Sequence, residues 1–382
     1  PAFPREPVLK RELTAIGLLA TGAVLSLSMP LMGALLLAVL AAALTATWTL
    51  LCAMAWTRFG LDLPVMTPLL LIMGLTVTNL TLGFLQESSR RRELRGMFDQ
   101  YVPPAHIERM IERGNSVSLA GESRVMTVLF GDIKGFTALS EGLSAQELKQ
   151  ILNELFTPLT ETLLDHQGTI DKYVGDMIMA FWNAPLVDAR HREHALDAAL
   201  DFGPTLERIN ALLARRHLPL VDMGLGINTG LMNVGDMGSS FRRAYTVLGD
   251  AVNLGSRIES LTRHYGVRTL IGEQTRDEVD GYLFRFIDRV VVKGREQTVR
   301  LYEPLCRSAD ATPELERRLL RYHGAYWMYA EQDWDRAAAA FDRLLAEEPD
   351  CTLYRIYRGR INELRHRNLG PEWNGEFRHL EK

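Results

Sequence analysis

The polarity of the chain changes once, near residue 85. Before that point three runs are almost free of charge: residues 13–29, 31–56 and 65–85, broken by Pro30 and by a short connector that carries Arg58 and Asp62. An apolar helix needs about 20 residues to cross a bilayer. Three such runs in succession predict three membrane-spanning helices rather than core helices of a soluble domain, and their repetition excludes a cleaved leader. Arg90, Arg91, Arg92 and Arg95 follow the third run. Basic residues mark the cytoplasmic side, so everything after them is expected in the cytoplasm and residue 1 outside; Lys10 and Arg11, on the outer side, are outnumbered. Leu94, Met97, Phe98 and Tyr101 then form one stripe of an amphipathic helix. It either pairs with its twin in a dimer or lies on lipid headgroups. Pro103 and Pro104 end it, and residues 114–123 read as a loop.

The rest of the chain alternates strand-like and helix-like segments. Residues 125–130 form a buried strand. Residues 169–173 and 177–182 are β-rich runs joined at 174–176 as a hairpin. Strands follow at 221–229 and 231–234 around Gly230, then at 244–247, 267–271, 283–293 and 299–302. Ser144 and Glu147 form a capping box that opens a helix with Leu148, Ile151, Leu152, Leu155, Phe156 and Leu159 on its inner face and Pro158 as a bend. Further helices span 191–213 and 250–265. Tight hairpins between neighbours predict an α+β fold with antiparallel pairing, not a doubly wound parallel sheet. From about residue 310 the chain is helical. Trp334, Ala337, Ala338, Phe341 and Pro349 resemble one and a half tetratricopeptide repeats, which cannot bury their own face and are expected to dock on the preceding domain.

Composition narrows the function. The 382 residues carry a formal net charge of -4, and no basic excess points to nucleic acid. Cys52, Cys306 and Cys351 lack metal-ligand spacing and are expected as free thiols. His191 and His194 form a lone HxxH, read as surface histidines in preference to metal ligands. The chain begins at Pro1 rather than methionine and is expected to be part of something longer, with residues 1–12 the end of an extracellular region.

Candidate chemistry lies in two Gly–Asp turns. In residues 130–137, FGDIKGFT, a buried strand stops at Gly131 and Asp132, and Gly135 lets the backbone turn. In residues 172–176, KYVGD, Asp176 sits at the hairpin tip. If the hairpin lies beside the first strand, Asp176 comes close to Asp132. Paired carboxylates near a phosphate site describe a two-metal clamp for phosphoryl or nucleotidyl transfer. Free N–H groups at Gly135, Phe136 and Thr137 suit phosphate. Asn253 and Arg257, four residues apart, share one helix face, and an arginine there can stabilise developing charge.

FGDIKGFT, DKYVGD and YTVLGDAVNLGSRIE, in this order and spacing, resemble the catalytic signature of class III nucleotide cyclases over about residues 122–304. The resemblance implies a ferredoxin-like α+β catalytic domain at 122–305. Before it would lie the membrane helices within 13–86 and a signalling helix and linker at 87–121; after it, a helical tail at 306–382. The three spans resemble the end of a CHASE2-type bacterial receptor. By the same resemblance Asp132, Asp176 and the Ile133 carbonyl would hold two Mg²⁺ or Mn²⁺ ions. Lys172 and Thr246 would read the purine, a pair that resembles the adenylate branch. Asn253 would orient the ribose and Arg257 the α-phosphate; Lys293, or Arg295 beside it, would hold the outer phosphates. Gly255 stands where alanine is more usual. ATP would be the substrate and 3′,5′-cyclic AMP with pyrophosphate the products. Each site would be shared by two chains of a homodimer, regulated by an N-terminal sensor and held to membrane lipid by the three helices. The alternatives are a guanylate cyclase and a silent nucleotide-binding module that only transmits a signal.

Overall fold

A computed structural model of the chain describes residues 10–28, 33–60, 62–98, 121–239, 243–291, 298–370 and 373–378. They form two compact units, 1–97 and 98–382. Pro30, Tyr101, Pro103 and Pro104, most of the expected loop at 114–123, and Lys293 and Arg295 lie outside the described residues.

The first unit contains α1 (Lys10–Ser28), α2 (Ala34–Phe59) and α3 (Met66–Phe98). Two stretches are long and apolar enough to cross a membrane, Leu35–Phe59 and Met66–Leu85; the third, Ala15–Leu27, is shorter. By length, two of the three expected spans are thus candidates to cross a membrane, and α1 carries a shorter apolar stretch. All three helices nevertheless contribute to one small core of Leu25, Leu37, Ala41 and Ile72. The Asn79 side chain donates from α3 to the Leu25 carbonyl of α1 at 3.2 Å. Outward positions such as Leu19, Leu35, Phe59 and Phe84 are over 70% exposed, so the apolar face points away from the bundle. Thr45, Thr57, Thr76 and Thr81 each return their hydroxyl to a carbonyl four residues back, which satisfies them without water. The last apolar run and the start of the amphipathic stripe form one unbroken helix, α3.

The second unit is built on one sheet. Its elements are β1 (Glu122–Ile133), α4 (Phe136–Glu141), α5 (Ala145–Asp165), β2 (Thr169–Val174), β3 (Met177–Trp182), α6 (His191–Arg215), β4 (Met223–Gly238), β5 (Arg243–Leu248), α7 (Asp250–Tyr265), β6 (Thr269–Gly272), α8 (Glu273–Arg276), β7 (Tyr282–Val291), β8 (Thr298–Arg307), α9 (Pro313–Ala330), α10 (Trp334–Glu347), α11 (Thr352–Leu364) and β9 (Phe377–Arg378). Among the described residues nine strands lie in the order β2-β3-β1-β4-β6-β8-β7-β9, with β5 on β4. Pairing is antiparallel except β4 with β6 and β7 with β9, so the sheet is mixed.

Three local expectations change. Gly230 does not divide two strands: β4 runs through it, because α7 packs over it and a Cβ there would come within 2.8 Å of the Ala251 Cβ. Pro158 lies within α5, which continues from Ala145 to Asp165 behind the Ser144–Glu147 capping box. His191 is buried, not on the surface, and its Nδ1 lies 2.7 Å from the Thr127 hydroxyl.

One core lies between the sheet and α5 and α6, around Leu129, Leu155, Ile178, Trp182 and Phe202. The other joins α7, β7 and β8 to the three tail helices. The tail docks on α7, β7 and β8, as a repeat with an unburied face must. Its aromatic side chains Tyr322, Tyr326, Tyr329, Phe341 and Tyr357 fill that core. Arg360 of α11 forms a buried 2.6 Å ion pair with Asp288 of β7, which also accepts from the Tyr265 hydroxyl at the end of α7.

Candidate active site

β1 pairs with β3 as far as Gly131 and Ile178, and Val174 pairs with Met177 at the mouth of the hairpin. Gly175 and Asp176 are left as the turn, with Gly175 at φ 64, a left-handed conformation that glycine adopts without strain. This register sets Asp176 beside Asp132, as the two Gly–Asp motifs predict. The Asp132 carboxyl is pushed up to about 6, first by burial, then by the charge of Asp176 and a hydrogen bond to it; Arg263 pulls it back down. Arg263 Nη2 donates to Asp132 Oδ2 at 2.6 Å and to the Ile133 carbonyl at 3.2 Å. Two of the oxygens expected to hold a divalent ion therefore already hold a cationic group. The donors are two carboxylates and a carbonyl, all hard oxygens, a set whose chemistry fits Mg²⁺ or Mn²⁺.

Past Ile133 the backbone is tied down by Lys134, whose N–H donates to the Asp222 carbonyl and whose ammonium pairs with the Asp222 carboxylate, both at 2.8 Å. Gly135, at φ 72, turns the chain into the short α4. Phe136 packs into the core beneath, while Thr137 is exposed.

Lys172 and Thr246 come from different strands and meet. Lys172 Nζ donates to Thr246 Oγ1 at 3.3 Å. Beneath them lies Asp171, whose carboxylate accepts from the Thr246 hydroxyl at 2.7 Å and stands 3.4 Å from Lys172 Nζ. The pairing of β2 with β3 shifts register between Ile170 and Lys172. This bulge places Asp171 and Lys172 around the same point instead of on opposite faces. Burial raises the Asp171 carboxyl, opposed by Thr246 and Lys172.

Asn253 is exposed and Arg257 half-buried on α7. That helix meets Asp132 through Arg263, near its C-terminal end. Asn253 lies ten residues earlier, about 15 Å along the axis at 1.5 Å per residue, and Arg257 six residues earlier, about 9 Å away and turned roughly 120°. Helix geometry thus sets Asn253 and Arg257 apart along α7 from Arg263, the residue of that helix that reaches Asp132. Gly255, between them, faces β1: a Cβ there would stand 3.0 Å from Val128 and 3.2 Å from Phe130. The small residue lets α7 sit close to the strand that carries Asp132.

Sequence reasoning missed Asp171, Arg263 and Glu259. Asp171 reads as an ordinary alternating strand residue, and only the bulge turns it inward. Arg263 reads as a basic residue complementing the end of a helix dipole. Glu259 reads as a surface partner for Arg257 but is buried, and burial raises it to about 7.

Residues 120–302 match the family model described as the Adenylate and Guanylate cyclase catalytic domain. The chain is 36% identical over 219 residues to Adenylate cyclase 1 of Rhizobium meliloti (strain 1021), covering 56% of this chain and 32% of that protein. It is 35% identical over 216 residues to an adenylate cyclase of Anabaena cylindrica, covering 54% of this chain and 42% of that protein. The chain thus spans less than half the length of these curated relatives. Among solved structures, that of the guanylyl cyclase Cya2 is 30% identical, with 50% of this chain and 96% of that chain covered and a TM-score of 0.45.

Proposed function

The chain belongs, through its catalytic domain, to the family of class III adenylate and guanylate cyclases, and from that premise we propose that it is a membrane-anchored adenylate cyclase, converting ATP to 3′,5′-cyclic AMP and pyrophosphate. The family embraces both purines, so the choice rests on the site. The observation that carries it is the Asp171–Thr246–Lys172 cluster. Thr246 gives its only hydrogen to Asp171, so towards a base its oxygen can only accept; one lone pair takes the Lys172 ammonium and the other is left for a donor on the base. The 6-amino group of adenine is a donor and satisfies it; the 6-carbonyl of guanine does not. Lys172 is a donor only. It suits adenine N1, an acceptor, and opposes guanine N1–H. A site built this way rejects the wrong base by leaving polar groups unpaired.

Asp132, Asp176 and the Ile133 carbonyl would hold two Mg²⁺ or Mn²⁺ ions, which lower the pKa of the ribose 3′-hydroxyl and neutralise the leaving pyrophosphate. The hydroxyl gives its proton to solvent, and its oxygen bonds to the α-phosphorus as the bond to the bridging oxygen breaks, in line, with pyrophosphate leaving. Arg257 stabilises charge on the α-phosphate and Asn253 orients the ribose, while the amides of Gly135, Phe136 and Thr137 face the phosphates. Lys293 or Arg295 supplies the outer phosphate contact. The separation of Asn253 and Arg257 from Asp132 along α7 supports a site shared between two copies of the chain.

Membrane anchoring is supported by the outward-facing apolar helices and the self-satisfied threonines. The Asn79–Leu25 bond supports α1 as a third span beside the two longer ones, with the catalytic unit cytoplasmic. The unbroken α3 suits a sensor-regulated enzyme of the CHASE2 type, in which a rotation of one helix changes how two chains meet. The test is incubation of the purified chain with ATP or GTP and Mn²⁺, with the product identified by mass. Cyclic AMP from ATP is expected; cyclisation of GTP alone, or none, refutes the reading.

A further inference from the structure

Arg263 has no role in the reaction described above, yet it donates to two of the metal-binding oxygens. We propose that Arg263 is a built-in occupant of that site, which closes it in the metal-free chain and must leave when a divalent cation enters. The inference rests on the metal reading of Asp132 and Ile133.

Arg263 Nη2 is 2.6 Å from Asp132 Oδ2 and 3.2 Å from the Ile133 carbonyl oxygen. A cation about 2.1 Å from those oxygens overlaps a guanidinium nitrogen at that place, so the two cannot bind together. Asp132 and Asp176 stand side by side and repel when both are ionised. The guanidinium relieves that repulsion until metal arrives. The Arg263 side chain is half-exposed while Asp132 is only 23% exposed, so the arginine has open solvent on its far side and can withdraw.

A second feature says where it goes. Glu259 lies one turn earlier on α7, at the i, i+4 spacing that lets a carboxylate meet an arginine. It is 8% exposed, and its Oε1 has no hydrogen-bond partner. Its electrostatic neighbours are Asp132, Arg263, Asp176 and Lys134. It rests against β4 where that strand carries glycine; a Cβ on Gly224 would come within 2.9 Å of Oε1. A buried carboxylate oxygen without a partner is costly, and a released Arg263 supplies the missing donor. The exchange is thus between two carboxylates, Asp132 without metal and Glu259 with it.

Such an occupant lowers the apparent affinity for metal by the fraction of chains in which the site is open. The test is Mn²⁺ binding to the full chain in detergent without nucleotide, read from loss of the free-ion paramagnetic signal. Arg263→Ala should bind Mn²⁺ roughly tenfold more tightly than the parent, the scale of losing one charged hydrogen bond. Lys134→Ala removes a positive charge close by but not on the oxygens, and should gain much less. Glu259→Gln should weaken binding in the parent and have little effect in the Arg263→Ala background. Unchanged affinity in Arg263→Ala overturns the proposal, as does an equal gain in Lys134→Ala. An equal effect of Glu259→Gln in both backgrounds overturns the exchange onto Glu259. Asp132→Ala separates the two readings: if it binds Mn²⁺ as the parent does, the metal assignment itself falls and this inference with it.

Discussion

The purine choice is assigned to a hydroxyl whose direction is set by a buried carboxylate, and Asp171→Asn tests that assignment at constant size. In the parent, Thr246 donates to Asp171 Oδ2 at 2.7 Å, and Lys172 is held 3.4 Å from the other oxygen. An amide in place of the carboxylate can donate to Thr246 Oγ1, which frees the threonine hydrogen to point at the base. The site then accepts a guanine carbonyl about as well as an adenine amino group. A hydrogen bond to a charged group contributes about 1.5–3 kcal/mol. At about 1.4 kcal/mol per factor of ten, the ratio of kcat/KM for ATP to that for GTP should fall roughly 10- to 150-fold. The assay is initial rates for each nucleotide with Mn²⁺, with kcat and KM resolved separately and thermal midpoints compared. If activity with both nucleotides falls equally, or the ratio stays within about twofold, Asp171 only supports the fold and the specificity argument fails.

Three further outcomes follow from particular contacts. Asp132→Ala and Asp176→Ala should each abolish cyclisation while leaving the thermal midpoint near that of the parent, since both lie at strand ends rather than in a core; near-parental Mg²⁺-dependent activity in either would contradict the two-metal reading. Arg360→Met strands the buried Asp288 carboxylate and should lower the unfolding free energy of the soluble part by about 3–5 kcal/mol, measured by denaturant titration; a loss under about 1 kcal/mol would place the pair outside the stabilising contacts of the tail. His323 Nε2 accepts the Phe286 N–H at 3.1 Å, and burial with Arg285 holds the imidazole below its usual 6.5. The unfolded chain therefore takes up a proton that the folded chain resists, so this stability is present above 6.5 and lost as pH falls below it. His323→Gln, whose amide oxygen still accepts, should lose less of its thermal midpoint between about pH 7.5 and about 5.5 than the parent does; equal losses would refute the sign.

Motif residues were legible where chemistry is local. Each Gly–Asp turn carries its own conformational demand, and a hairpin beside a buried strand brings the two together without knowledge of the rest of the sheet. The Lys172–Thr246 meeting was legible only through family resemblance, because 74 residues separate them. Asp171, next to Lys172 in sequence, was invisible because alternation puts neighbours on opposite faces and the bulge that overrides this leaves no mark in composition. The same holds for β4. Gly230 reads as a break, but the close approach of α7 requires glycine inside a continuous strand. Docking of the tail was expected from its unburied face, whereas its anchor, Arg360 on Asp288, joins residues 72 apart and depends on the tertiary fold. Length separated the two candidate spans from α1, which counting apolar residues alone did not.

The central claim is that two chains complete each active site. Asp132→Ala and Arg257→Ala should each be nearly inactive as homodimers. In a heterodimer one site combines both defects, while the other takes its intact aspartates from the Arg257→Ala chain and its intact arginine from the Asp132→Ala chain. Mixing the two variants should therefore restore cyclic AMP formation, with at most one working site per heterodimer. No recovery at any ratio, with heterodimers confirmed by capture of differently tagged chains, would contradict a shared site.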